Sequence, residues 1–324
     1  MSEPLRRFIE PMRDWSAALG LIHIPRVSLT DRAFWENLKG RYYVRLCPEV
    51  VVRRDMWEKL PVWQQEEVRV QAVGMSVDRA VLVGRSAARV HGLPVPGRDR
   101  FVELNLPGKN IRPPRRQWPS GVKYWSGYLP EGQIQVVNGV RVTSIPRTLL
   151  DLARHQGIEE AIVTFDAALS MQGATKELLL DRFLAFGPVP GIRKARRALE
   201  LADGRSESPL ESWGRAQIVT AELPELESLE VQVNVLGGRY RIDHVLNGDI
   251  ANELHGDVKY DNVTTGTGAI AQMRKDRDRE REIQNAGFTM LHADYRDLVT
   301  RRNGESVFVG TVRETLRAQQ RKAA

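Results

Sequence analysis

Cysteine is almost missing from this chain: Cys47 is the single one in 324 residues. That excludes an internal disulfide and any metal site built on cysteine thiolates, and it fits a reducing cytoplasm. Long apolar runs are missing too, since no stretch approaches the ~18 residues a membrane helix needs. The opening stretch, MSEPLRRFIEPMRDW, carries charges where a signal peptide needs an apolar core. Internal repeats and low-complexity tracts are also lacking. The expectation is a soluble, cytoplasmic protein with no membrane partner. What remains is ordinary globular material, 42% hydrophobic and 27% charged. A net charge of +7 favours a polyanionic partner, nucleic acid before membrane. The length predicts two or three domains.

Composition and periodicity divide the chain into three regions of an α/β, multidomain (α+β) protein. The first is residues 1–55. Phe8, Met12, Trp15 and Leu19 recur at helical spacing over Pro4–Leu19. Ser28-Leu29-Thr30-Asp31 offers caps for a short helix, Arg32–Leu38. A basic turn, Lys39-Gly40-Arg41, leads into a β-rich run, Tyr42–Val52. This is the order of a winged helix-turn-helix, with Arg41 near DNA; a plain helical hairpin before a strand reads the same way.

The second region, residues 60–204, is α+β. Helices are expected at Val62–Val73, Ser86–His91, Pro146–His155, Ile158–Leu169, Lys176–Ala185 and Ile192–Leu201. Strands are expected at Ala80–Val83, Phe101–Leu106, Val122–Trp125 and Val140–Thr143. The proline-rich stretch Pro107–Trp118 cannot be a regular helix or a central strand. Its Lys109, Arg112, Arg115 and Arg116 could touch phosphate, or simply face solvent. The third region, residues 206–324, alternates helix and strand. It predicts a helix at Pro209–Ala221, a strand at Glu230–Leu236 and a long polar helix at Ala269–Ala286. A strand at Phe288–His292 and a helix at Gly304–Arg317 follow.

The chemistry concentrates in RYRIDHVLNGDIANELHGDVKY, Arg239–Tyr260. It reads as two strands joined at Asn247-Gly248, with Asp243 on one and Glu253 on the other. Two carboxylates on neighbouring strands, with Glu211 from the preceding helix, make a hard oxygen set suited to Mg²⁺ or Mn²⁺. His255 shares a strand face with Glu253. His255 or Lys259 would orient water or stabilise charge during phosphodiester hydrolysis. Each has a plainer reading: Glu211 as a first-turn acid, Glu253 as an edge charge, His255 as a hydrogen-bonded structural group. The charged run Arg274–Glu282 is either a solvated helix face or, through Lys275 and Arg279, a lining for a nucleic-acid backbone.

The order of segments also carries a resemblance. Ser208–Ser212 (SPLES), Arg241–Asp243 (RID), Glu253–Gly256 (ELHG), Asp276 with Arg279, and Ala286–Phe288 (AGF) follow one another. Together they resemble the PD-(D/E)XK nuclease-fold domain related to very-short-patch-repair endonucleases. Ser86–Pro94, Val140–Ala153 and Phe165–Gln172 resemble segments of AbiEi-type antitoxins. The resemblance implies a restriction-endonuclease-like α/β/α domain with Asp243, Glu253 and Glu211 as metal ligands. It implies a metal-dependent endodeoxyribonuclease acting on double-stranded DNA, or an antitoxin-type regulator with a cognate toxin and a decayed nuclease site. The chain departs from the pattern in three ways, the first being E-L-H-G at Glu253–Gly256 where the related domains often carry E-x-D-G. His255 stands where the motif has lysine, and His292 stands where the last strand often has arginine.

Overall fold

The computed structural model describes residues 20–108, 112–256 and 267–323. The expected helix Pro4–Leu19, and Lys109 and Lys259, lie outside them. The described chain is an α/β, multidomain protein with several mixed and antiparallel sheets. It divides into two compact units, residues 1–157 with 171–200, and residues 158–170 with 201–324. No described helix is long and apolar enough to cross a membrane.

In the first unit, β1 (Ile22–His23), α1 (Arg32–Lys39), β2 (Tyr43–Cys47) and β3 (Val50–Arg53) come first. The strands form an antiparallel sheet in the order β1-β3-β2. Asp31 caps α1 by accepting from the Phe34 amide at 3.0 Å, which satisfies a donor the helix start leaves free. After α2 (Arg54–Trp57) comes α3 (Val62–Met75). Leu46, Val50, Val52 and Trp57 pack with Val68 and Ala72 of α3 in one core. The expected boundary between 55 and 60 therefore falls inside a continuous apolar cluster.

A five-stranded sheet follows, ordered β6-β5-β4-β8-β7. Its members are β4 (Val81–Leu82), β5 (Val102–Asn105), β6 (Val122–Tyr124), β7 (Ile134–Val137) and β8 (Val140–Thr143). The sequence reading missed β7, although Asn138-Gly139, both at positive φ, is the turn that favours such a hairpin. Helix α4 (Gly84–Val90) starts at a glycine with φ of +54°. A Cβ at Gly84 would collide with Glu103, whose carboxylate accepts from the Arg85 amide at 2.8 Å. Next are α5 (Ile145–His155), α6 (Ile158–Leu169), α7 (Lys176–Ala185) and α8 (Ile192–Leu201).

Helix α6 departs from expectation by belonging to the second unit. Its Asp166 accepts from Arg215 at 2.8 Å and from the Ser212 hydroxyl at 2.5 Å, both on α9 (Pro209–Thr220). It also accepts from the Asp203 amide at 2.7 Å. This pairing, with both partners buried, holds α6 against α9 and overrides the sequence boundary near 204.

The second unit is built on one sheet, ordered β12-β11-β10-β9. Strands β9 (Leu229–Val235), β10 (Tyr240–Leu246) and β11 (Ile250–His255) are antiparallel. Helix α10 (Thr267–Asn285) then carries the chain to β12 (Thr289–Asp294), parallel to β11. Short α11 (Tyr295–Val299), a hairpin of β13 (Arg301–Arg302) and β14 (Glu305–Ser306), and α12 (Val307–Ala323) complete it. Ile250 and Leu254 pack with Ile218 of α9 and with Phe308 and Val312 of α12. Ala251, of opposite parity on β11, packs with Ile283 of α10. The sheet is thus covered on both faces. At Gly214, a Cβ would drive into Leu254, so α9 lies close on β11.

Replacing Asp166 with Ala leaves the Arg215 guanidinium buried without its counter-ion. We expect urea unfolding of the full chain to show a loss of about 3–5 kcal/mol. A loss below ~1 kcal/mol, the worth of an exposed ion pair, would contradict this account of α6.

Candidate functional site

The strand registers bring the predicted acids together. Glu253 on β11 is the register partner of His292 on β12. The β10–β11 ladder ends at His244↔Asn252, one step short of Asp243 and Glu253. In the β9–β10 ladder, Gln232 falls opposite Asp243, between the pairs Val231↔His244 and Val233↔Ile242. Gln232, Asp243, Glu253 and His292 therefore occupy one register row across four strands. Where β10 and β11 stop pairing, the Asp243 carboxylate accepts from the Leu254 amide at 2.9 Å and fills the gap in the ladder.

Helix α9 brings Glu211 to this row. Ser208 caps the helix by accepting from the Glu211 amide at 3.2 Å. The Glu211 carboxylate turns back, accepting from the Glu207 amide at 2.9 Å and from Gln232 Nε2 at 2.8 Å. Gln232 makes that bond from a strained backbone, with φ of +56° inside a strand. Such a conformation costs a non-glycine residue about 1–2 kcal/mol. Its Oε1 is buried and has no hydrogen-bond partner.

Glu211 and Glu253 are buried and Asp243 half-buried. Burial pushes the Asp243 carboxyl up to about 7; the negative charges of Glu211 and Glu253 add to this, and the Leu254 amide opposes it. Burial also pushes Glu211 upward. The Arg279 guanidinium of α10 contacts Glu253 at 2.6 Å and the Arg241 carbonyl at 3.0 Å. With all three acids ionised, one guanidinium opposes three carboxylates. A strained strand residue with an unpartnered side-chain oxygen, and the surplus negative charge the acids carry when ionised, suit a hard divalent cation.

His255 stacks on His292 with ring centroids 5.1 Å apart and planes at 21°. His255 Nε2 and His292 Nδ1 are 2.9 Å apart, and His292 Nε2 is 3.4 Å from Glu280 Oε1. The sequence reading noted His292 only as a missing arginine and missed Gln232 and Glu280. For His292, the signal was available in the parallel pairing of β11 with β12 that a connecting helix implies.

The predicted DNA contacts divide. Arg41, Arg112, Arg115, Arg116 and Lys275 are exposed, with Arg112 over the Trp118 ring. Arg279 instead is half-buried on Glu253, so it serves the acid cluster. The first unit holds a basic region that the sequence did not single out. His155 stacks on Trp125 at 3.8 Å, and Lys123 Nζ lies 3.5 Å from the same ring centroid. Burial, then the charges of Arg154, Lys123, Arg147 and Lys194, push the His155 pKa down to about 4. An open cleft of about 380 Å³ adjoins, lined by Arg154, Arg193 and Lys194. These cations are scattered along the sequence and meet only in the fold.

No protein-family model matches the chain. Two curated proteins of Mycobacterium tuberculosis, one from strain CDC 1551 / Oshkosh and one from strain H37Rv, are each 28% identical over 160 residues. Both are described as uncharacterized. The match covers 49% of this chain and 56% of each relative, so the chain spans about half the length of the curated relatives it matches.

The raised Asp243 carboxyl sets a direction for stability. Its favourable protonated state is fully available below the ordinary carboxylate range and is lost as pH rises through about 7. In EDTA at pH 8, Asp243→Asn should therefore raise the melting midpoint by roughly 1–2 °C, the effect of about 1 kcal/mol in a chain this long. The gain should vanish near pH 4. A lower midpoint at pH 8 would contradict the charge repulsion.

Proposed function

We propose that this chain is a DNA-binding protein whose second unit is a Mg²⁺-dependent endonuclease of restriction-endonuclease-like fold, acting in bacterial defence or repair. The observation that carries the reading is that Glu211 and Glu253 both lie near enough to Asp243 for their charges to raise its carboxyl, with Gln232 bonded to Glu211 from the same register row. Those oxygens fit Mg²⁺ or Mn²⁺, with Asp243 and Glu253 as ligands and Glu211 binding directly or through water. Such an ion supplies polarisation of the scissile phosphate and a lowered pKa for bound water.

The chain's own groups do the rest. The Leu254 amide fixes Asp243, Gln232 and the Glu207 amide fix Glu211, and Arg279 fixes Glu253. Arg279 places positive charge at the acids even though His255 replaces the motif's lysine. His255, exposed beside Glu253, can hydrogen-bond water or a phosphate oxygen. Support for a duplex partner comes from α1 followed by the β2-β3 hairpin, the part of the expected winged helix within the described residues, and from the basic groups around His155. A cytoplasmic setting suits this role.

One observation favours a second reading. Arg279 already closes an ion pair on Glu253. A decayed site stabilised this way would suit an AbiEi-type regulator that binds its operator, with a cognate toxin as partner.

Two experiments check the proposal. Purified full-length protein should nick supercoiled plasmid with Mg²⁺ or Mn²⁺, and Asp243→Asn or Glu253→Gln should lower the rate at least ~10²-fold while duplex binding persists. Binding without cleavage in the parent protein would favour the regulator. Reversing the charge of Arg115 and Arg116 together should weaken duplex binding several-fold at low salt and flatten its salt dependence. Unchanged affinity would remove that loop from the interface.

A further inference from the structure

Beyond the Mg²⁺ reading, the acid cluster has a nitrogen-rich neighbour. We propose that His255 and His292, with Glu253 shared from the acid cluster, form a site for a divalent first-row transition ion, with Glu280 orienting His292 behind it. One ligand atom from each of the three residues lies within 4.8 Å of the others. His255 and His292 extend from adjacent parallel strands, and the same rigid sheet positions Glu253.

The hydrogen-bond pattern specifies what the pocket between the rings accepts. Glu280 Oε1 lies 3.4 Å from His292 Nε2, and the carboxylate favours the tautomer with a proton on that nitrogen. That leaves the Nδ1 lone pair of His292 facing His255 Nε2 at 2.9 Å. A carboxylate behind a ligating imidazole is the usual support of a metal-bound histidine, since it fixes the tautomer and raises basicity. With its proton on Nε2, His255 donates into the space between the two nitrogens; in its other neutral tautomer, with the proton on Nδ1, two lone pairs face one point.

Geometry and ligand chemistry select the ion class. Imidazole nitrogens bind first-row ions at about 2.0–2.1 Å. Two of them at right angles then lie about 2.9 Å apart, and at a tetrahedral angle about 3.4 Å. The observed separation matches the right angle of a six-coordinate ion. Two imidazoles and one carboxylate are the ligands of facial sites for Fe²⁺ and related ions, whereas Mg²⁺ prefers oxygen alone. Arg279 occupies Glu253 Oε1, so the second carboxylate oxygen is the ligand here. His255 and His292 are exposed, so an ion can enter and keep water as further ligands.

The test uses the full chain, stripped with chelator and titrated with Co²⁺ in excess Mg²⁺, followed by calorimetry and visible absorption. The parent protein should bind one Co²⁺ with visible bands, and the imidazole NMR signals of His255 and His292 should broaden. His292→Ala should weaken Co²⁺ at least ~10²-fold, and Glu280→Gln about tenfold, the effect of removing an outer partner. Both changes are at exposed or half-exposed positions, and circular dichroism checks the fold. Asp243→Asn should keep the Co²⁺ site while abolishing Mg²⁺-dependent cleavage, so failure of the nuclease reading leaves this result readable. Co²⁺ affinity equal in parent and His292→Ala would overturn the proposal. Loss of Co²⁺ binding in Asp243→Asn with none in His292→Ala would also overturn it and place the ion among the carboxylates.

Discussion

Burial of Glu211, Asp243 and Glu253 in a largely dry corner, with the charges of Glu211 and Glu253 adding to the burden on Asp243, is the constraint on which the candidate site depends. Each carboxylate is retained at a cost, and each has a backbone or side-chain donor that limits the cost. The Leu254 amide, freed where β10 and β11 stop pairing, meets Asp243. Arg279 meets Glu253, and Gln232 leaves ordinary strand geometry to reach Glu211. These donors hold the acids in place without neutralising all of them. Residual unfavourable charge on a rigid sheet is how proteins prepare a site for a cation.

That arrangement depends on α9 being immobile, because Glu211 reaches the site from its first turn. Ser208 caps the helix start, Gly214 lets it lie close to Leu254, and Ser212 and Arg215 tie it to Asp166 of α6. Gln217 joins it at the other end to the Leu298 carbonyl and Ser306. One helix thus carries Glu211 at its start and structural polar contacts along its length.

The paired acidic strands were readable in the sequence because Asn247-Gly248 marks a tight turn and the flanking runs are strand-like. Tyr240–Leu246 and Ile250–His255 fall within the expected stretch. The long helix before β12 was readable from its unbroken charged run. Gln232 was not readable: LEVQVNV alternates like any half-buried strand, and a positive φ at glutamine leaves no local signature. His292 was within reach, because the helix between β11 and β12 implies their parallel pairing, whereas the place of Glu280 beside His292 depends on how α10 packs. The α6 boundary was missed because a buried Asp166–Arg215 pair joins residues 49 apart in sequence. The turn at Asn138-Gly139 was a visible signal left unused.

Calorimetric titration of Mg²⁺ into the full chain, beside Asp243→Asn and Glu211→Gln, addresses the central claim most directly. The account predicts that the parent chain binds Mg²⁺ and that each substitution lowers the affinity about tenfold or more, one hard ligand being lost each time. Identical titrations for all three proteins would contradict it and leave the carboxylates as a strained structural cluster.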